Sequence, residues 1–176
     1  MACFTPFCDV DLALEWAESR LLAKGQSVES QALTTVDYEL FAGFTAEELA
    51  VIGPHLERRT YKTGDALINA GDTASEIFLP ACGHVSVLIT LPSGATRRLA
   101  SFSAGMAFGE MAVIDRSPRS ATIKADTEVV SDLLKLEKLS AVEITHPRIK
   151  IKLLENLSLG LSLKLRKAIR KLSLFE

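Results

Sequence analysis

Between Leu56 and Leu136 the chain runs as short segments of alternating apolar and polar residues, separated by turn residues at regular intervals. Few architectures accept that texture. Period-two alternation bounded by glycine, proline, asparagine or aspartate reads as a half-buried strand. Strands are expected at 58–62, 66–69, 77–80, 84–91, 96–102, 119–125 and 129–136. Gly64-Asp65, Gly71-Asp72, Gly83, Pro92-Ser93-Gly94 and Gly105 supply the turns between them. Many short, evenly spaced strands must cover their own edges, so the expected core is a closed sandwich or barrel. The fold class is mainly β with flanking α.

Helical patterns lie on either side of this core. Residues 9–24 form an amphipathic pattern with Val10, Leu14, Ala17 and Leu21 on one face. Its acids come early and Arg20 and Lys24 late, as the helix dipole prefers. The polar stretch 25–31 carries Gly25 and reads as a linker, so residues 1–30 form an arm outside the core. Thr45 and Glu48 make a capping box for a helix that ends near Gly53-Pro54, and Phe41 and Phe44 would staple it to the core. After Glu137 the pattern is helical again, and Pro147 suits the first position of a long terminal helix. Leu154, Leu157, Leu161, Leu165, Ala168 and Leu172 recur along it as one stripe, flanked by Lys164, Arg166, Lys167, Arg170 and Lys171. Leu153, Leu159, Leu163 and Leu174 fall off that stripe, which implies two packing partners: the β core with any ligand, and a second copy of the chain. The expected division is 1–30 arm and linker, 31–146 core with its leading helices, and 147–176 terminal helix.

One stretch inside the core, residues 108–122, has a chemistry of its own. Gly109 permits close backbone approach. Residues 110–114 read as one short helical turn whose free N–H groups would face an anion. Pro118 ends the segment and Arg119 opens the next strand. Folded back over the helix start, Arg119 offers a guanidinium fork to a phosphate, and Ser120 adds a hydroxyl donor. Glu110, acceptor-only when ionised, suits a sugar hydroxyl. A ligand carrying a phosphate beside a ribose hydroxyl matches this layout.

Phe108-Gly109-Glu110, an apolar turn, and then Pro118-Arg119-Ser120-Ala121-Thr122 resemble the phosphate-binding cassette of cyclic nucleotide-binding domains. The turn glycines upstream are similar to those of that family's β-roll, and the likeness runs from about Phe41 to Leu136. It implies a double-stranded β-helix or jelly roll that binds a cyclic nucleotide, with cAMP the expected ligand and cGMP the alternative. The implied ligand contacts are Phe108, Gly109, Glu110, Met111, Ala112, Arg119, Ser120 and Ala121, with the base lying between the roll and the terminal helix. The tip around Arg116 would be solvated. Residues 13–18 separately resemble the closing helix of regulatory domains in sulfate-transporter-like proteins, so a covalently linked output domain is expected in the full-length protein.

Other readings fare less well. A net charge of −2 gives no global attraction to nucleic acid, and the catabolite-activator arrangement needs a DNA-binding module after the long helix, so DNA is not an expected partner. A metal-dependent cupin needs clustered ligands, whereas His55, His84 and His146 are scattered. Neither a metal, a cofactor nor enzymatic activity is expected. Cys3, Cys8 and Cys82 lack paired spacing and favour free thiols in a cytoplasmic setting. No apolar run is long enough for a membrane helix. The alternative that stays open is a degenerate roll, kept for dimerisation or docking without a ligand.

Overall fold

Alternation in the sequence becomes two antiparallel sheets in the computed structural model, which describes residues 32–172. The arm expected over residues 1–30, the likeness at 13–18 and Leu174 lie outside the described residues. Short 3-10 turns, Thr35–Asp37 and Glu39–Phe41, lead into α1 (Ala46–Ile52). There follow β1 (Leu56–Tyr61), β2 (Ala66–Ile68), β3 (Glu76–Cys82), β4 (His84–Thr90) and β5 (Thr96–Ser103). The short helix α2 (Glu110–Asp115) then separates β5 from β6 (Thr122–Ala125) and β7 (Val129–Lys135). Helices α3 (Leu136–Thr145) and α4 (Pro147–Leu172) close the described chain.

One sheet has the order β1-β7-β3 and the other β2-β6-β4-β5. Ile68, Phe78, Val85, Phe108, Ile123, Ala125, Val129 and Leu133 form the core. Strand β7 is paired on both edges and buried along nearly its whole length, so it reads as a continuous apolar run interrupted by Ser131 and Asp132. Burying Asp132 is tolerable because the Arg58 guanidinium donates to both its oxygens at 2.8 Å and the Tyr38 hydroxyl donates at 2.6 Å. The capping box of α1 forms as expected: the Thr45 N–H donates to Glu48 Oε2 at 2.8 Å, and the Glu48 N–H to Thr45 Oγ1 at 3.3 Å.

Two expectations need correction. The strand expected over 119–125 begins only at Thr122. Upstream, the Arg119 N–H donates to the Asp72 carbonyl at 2.9 Å and its own carbonyl accepts from Gly71 at 2.8 Å. Arg119 therefore pairs with the β2–β3 turn instead of extending the β6 ladder. The second correction concerns α4. Ile149, Leu153 and Leu157 are its buried row, while Leu154 and Leu165 are exposed, as are the off-stripe Leu159 and Leu163. Asn156 explains the rotation, since its Nδ2 donates to the carbonyls of Leu40 and Ala42, both at 2.9 Å. The carbonyls of the Glu39–Phe41 turn thus select which apolar row of α4 faces inward.

Candidate ligand-binding site

The cassette starts from Phe108. Its N–H and carbonyl exchange hydrogen bonds with Phe78 at 3.0 and 2.9 Å, forming a one-residue antiparallel bridge to β3. The rings of Phe78 and Phe108 stack at 5.2 Å between centroids, and Phe102 stacks on Phe108 at 5.7 Å. This aromatic column fixes the chain just before it turns into α2.

Gly109 makes the turn, as the N-cap of α2 with φ of 81°. That left-handed conformation suits glycine. Space demands glycine as well, because a Cβ here would stand 2.8 Å from Arg119 Nη1 and 3.2 Å from Ile68 Cδ1. The guanidinium of Arg119 packs against this bare backbone. Nη1 donates to the Gly109 carbonyl at 2.7 Å and Nη2 to the Glu76 carbonyl at 2.9 Å. A guanidinium has five N–H donors, so these two bonds orient the fork and leave donors for an anion. Burial pulls the Arg119 guanidinium below its ordinary value, while the charges of Glu76, Asp72 and Glu110 act the other way. Its headgroup remains a cation at any working pH.

Glu110 is buried at the first position of α2, at 4% exposure. Its Oε1 accepts from Lys164 Nζ of α4 at 2.8 Å. Ala112 is also buried, whereas Met111 is exposed. Ser120 is exposed and Ala121 half-buried in the bend entering β6, and Arg116 at the tip is exposed with φ of 57°. The structure therefore gathers Phe108, Gly109, Glu110 and Arg119 at one place, with Ser120 and Ala121 at its rim and Met111 turned toward solvent. A hollow of about 200 Å³ beside Thr73, Ala112, Pro118 and Leu136 includes neither Arg119 nor Glu110, so it is not this site.

Lys164 is the member that sequence reasoning missed as a site residue. It lies seven residues, about two helical turns, beyond Leu157 on the side of α4 that carries the buried row Ile149, Leu153 and Leu157, and that continuation was the available signal. Among the described residues no group of acids, histidines and cysteines could hold a metal ion, and no helix is long and apolar enough to cross a membrane.

Residues 58–143 match the family model of the cyclic nucleotide-binding domain. The chain is 36% identical over 151 residues to Glutaminase 1 of Bradyrhizobium diazoefficiens, an alignment covering 85% of the chain and 24% of that protein. It is 35% identical over 94 residues to the cyclic AMP receptor protein of Thermus thermophilus, covering 52% of the chain and 44% of the relative. The chain thus spans about a quarter of the glutaminase and less than half of the receptor protein. Its fold superposes with a TM-score of 0.74 on a cyclic nucleotide-binding domain from Methylobacillus flagellatus at 22% identity, over 86% of the chain and 93% of that domain.

Proposed function

Because residues 58–143 belong to the cyclic nucleotide-binding domain family, we propose that the cassette around α2 binds cAMP in preference to cGMP and reports its presence through α4. The observation that carries this reading is the Arg119 guanidinium, oriented by the Gly109 and Glu76 carbonyls at the start of α2, where Glu110 is buried. In this reading the cyclic phosphate lies against Arg119, Ser120 and the amides at the start of α2, and Glu110 accepts from the ribose 2′-hydroxyl. Phe108, Met111, Ala112 and Ala121 complete the contact surface. The base sits between the roll and α4. The preference for cAMP draws on the likeness to the Thermus receptor protein.

The role is regulatory rather than catalytic. A ligand that binds the α4-docked state better than the undocked one shifts the population toward it, by no more than that difference in affinity. The share of the glutaminase that the chain matches supports reading it as the sensing part of a longer protein with a linked output domain. A homodimer through the outward face of α4 completes the proposal, with DNA left out.

Isothermal titration of the chain with cAMP and cGMP tests the reading. Binding in the micromolar range, tighter for cAMP, is the expected result. No heat and no thermal shift at about 1 mM of either nucleotide, where even −4 kcal/mol of affinity would register, would replace it with the degenerate docking roll.

A further inference from the structure

Lys164 joins elements that are far apart in sequence. Its Nζ donates to Glu110 Oε1 at 2.8 Å and to the Ala107 carbonyl at 2.7 Å, and stands 4.9 Å from the centre of the Phe102 ring. The Glu110 side chain is 5% exposed and that of Lys164 26%. A carboxylate at that depth needs a countercharge. Arg119 does not supply it through its hydrogen bonds, which go to the Gly109 and Glu76 carbonyls. Between Leu159 and Ile169 the apolar side chains of α4 are half-buried or exposed, so apolar packing does little to hold this stretch of the helix down.

We propose that Lys164 is a positioning residue of the nucleotide site: it fixes Glu110 through Oε1, leaves the second carboxylate oxygen for the ribose 2′-hydroxyl, and so makes docked α4 part of ribose recognition. The inference rests on the cyclic nucleotide reading of the cassette. Charge counting decides between a lysine that stays and one that the ligand expels. The nucleotide brings an anionic phosphate to Arg119, around which Glu76, Asp72 and Glu110 already stand. Expelling Lys164 would remove a cation as an anion arrives, and Coulomb energy in a partly buried site opposes that. Lys164 therefore stays. Nucleotide binding and docking of α4 then strengthen each other, and the reciprocity of linkage makes the gain equal in both directions.

The experiment compares cAMP with 2′-deoxy-cAMP by calorimetry on wild type, K164M and K164R. Wild type should prefer the ribose form. In K164M, which keeps the apolar stem, cAMP should bind at least tenfold more weakly and the ribose preference should fall at least fivefold. K164R keeps the charge and should hold a preference nearer to wild type. Hydrogen exchange without ligand gives a second measure: amides of α4 around Lys164 should exchange at least threefold faster in K164M. A ribose preference unchanged within twofold in K164M would overturn the proposal. So would tighter cAMP binding by K164M, K164R behaving as K164M does, or unaltered exchange. If wild type binds neither nucleotide, the proposed function fails and this inference with it. If wild type binds and K164M keeps its preference, the Lys164 assignment alone is lost.

Discussion

The Tyr38 hydroxyl donates a 2.6 Å hydrogen bond to Asp132 Oδ2, across 94 residues of sequence, and so pins the turn before α1 to the central strand β7. Arg58 completes the group from β1, with its side chain half exposed and that of Asp132 at 6%. Burial pushes the Asp132 carboxyl up, but the hydrogen bonds from Arg58 and Tyr38 outweigh it and hold the group below the usual carboxylate value. A depressed folded value means stability that is present above the unfolded pKa, about 3.9, and lost as pH falls through the folded value. Y38F removes one bond to a charged acceptor, worth about 1.5–3 kcal/mol. For a domain of this size that predicts a Tm lower by roughly 3–12 °C. D132N should also destabilise at pH 7, and its deficit against wild type should shrink as the pH is lowered from 6 to 3. Thermal melts across that range check both, and parallel curves for D132N and wild type would remove Asp132 from the acid response.

Gly109 is expected to matter more for ligand than for stability. G109A places a methyl group 2.8 Å from Arg119 Nη1 in a left-handed backbone conformation. The conformational cost is about 1–2 kcal/mol. The guanidinium can swing aside, but only by giving up its bonds to the Gly109 and Glu76 carbonyls. The expected outcome is a folded variant with a modestly lower Tm and at least tenfold weaker cAMP binding. Calorimetry giving an affinity within threefold of wild type would show that the orientation of Arg119 does not limit binding.

Much of this geometry was legible in the chain. Turn glycines and period-two alternation located every strand, because those signals act within a few residues. The capping box was readable for the same reason, since the side chains of Thr45 and Glu48 each accept from the other's backbone N–H. Arg119 folding back over Gly109 followed from the glycine and the proline between them. Long-range partners were not legible. Nothing local ties Arg58 or Tyr38 to Asp132, or Lys164 to Glu110. The face of α4 was misread because its apolar residues make two rows, and the choice between them depends on the carbonyls of Leu40 and Ala42 that hold Asn156.

Arg119 and Glu110 should separate by magnitude. R119A removes the main countercharge to a partly buried phosphate, and losing one partner of such a pair costs on the order of 3–5 kcal/mol. That is more than a hundredfold in affinity. It also frees the Gly109 and Glu76 carbonyls, so its Tm should be measured beside its affinity. E110Q should cost less, since an amide oxygen still accepts from a ribose hydroxyl, although it deprives Lys164 of its charged partner. Titration with cAMP decides the order. R119A within threefold of wild type would remove Arg119 from the site, and E110Q proving the more damaging would reverse the division of roles.

The outward face of α4 yields the last prediction. Ile151, Leu154, Ser158, Leu161, Leu165 and Ala168 follow one another at alternating steps of three and four, the spacing of a coiled-coil seam. Ile151, Leu154 and Leu165 are exposed at 56%, 43% and 62%. Leu157, grouped with them by periodicity, lies inside at 6%. The two rows should therefore respond differently to charge. Fully burying a leucine is worth about 1.5–3 kcal/mol, so the seam offers several kcal/mol gross before association entropy is subtracted. Self-association in the micromolar range is the expected result, with Ser158 weakening the middle of the seam. L154K/L165K should turn a dimer into a folded monomer that retains its Tm when compared at low concentration. L157K should instead lower Tm sharply, since it drives a charge into the buried side of α4. Sedimentation of wild type with and without cAMP comes first, and a strict monomer at about 100 µM in both states, a concentration at which a Kd tighter than −5.5 kcal/mol would show, would end the dimer proposal.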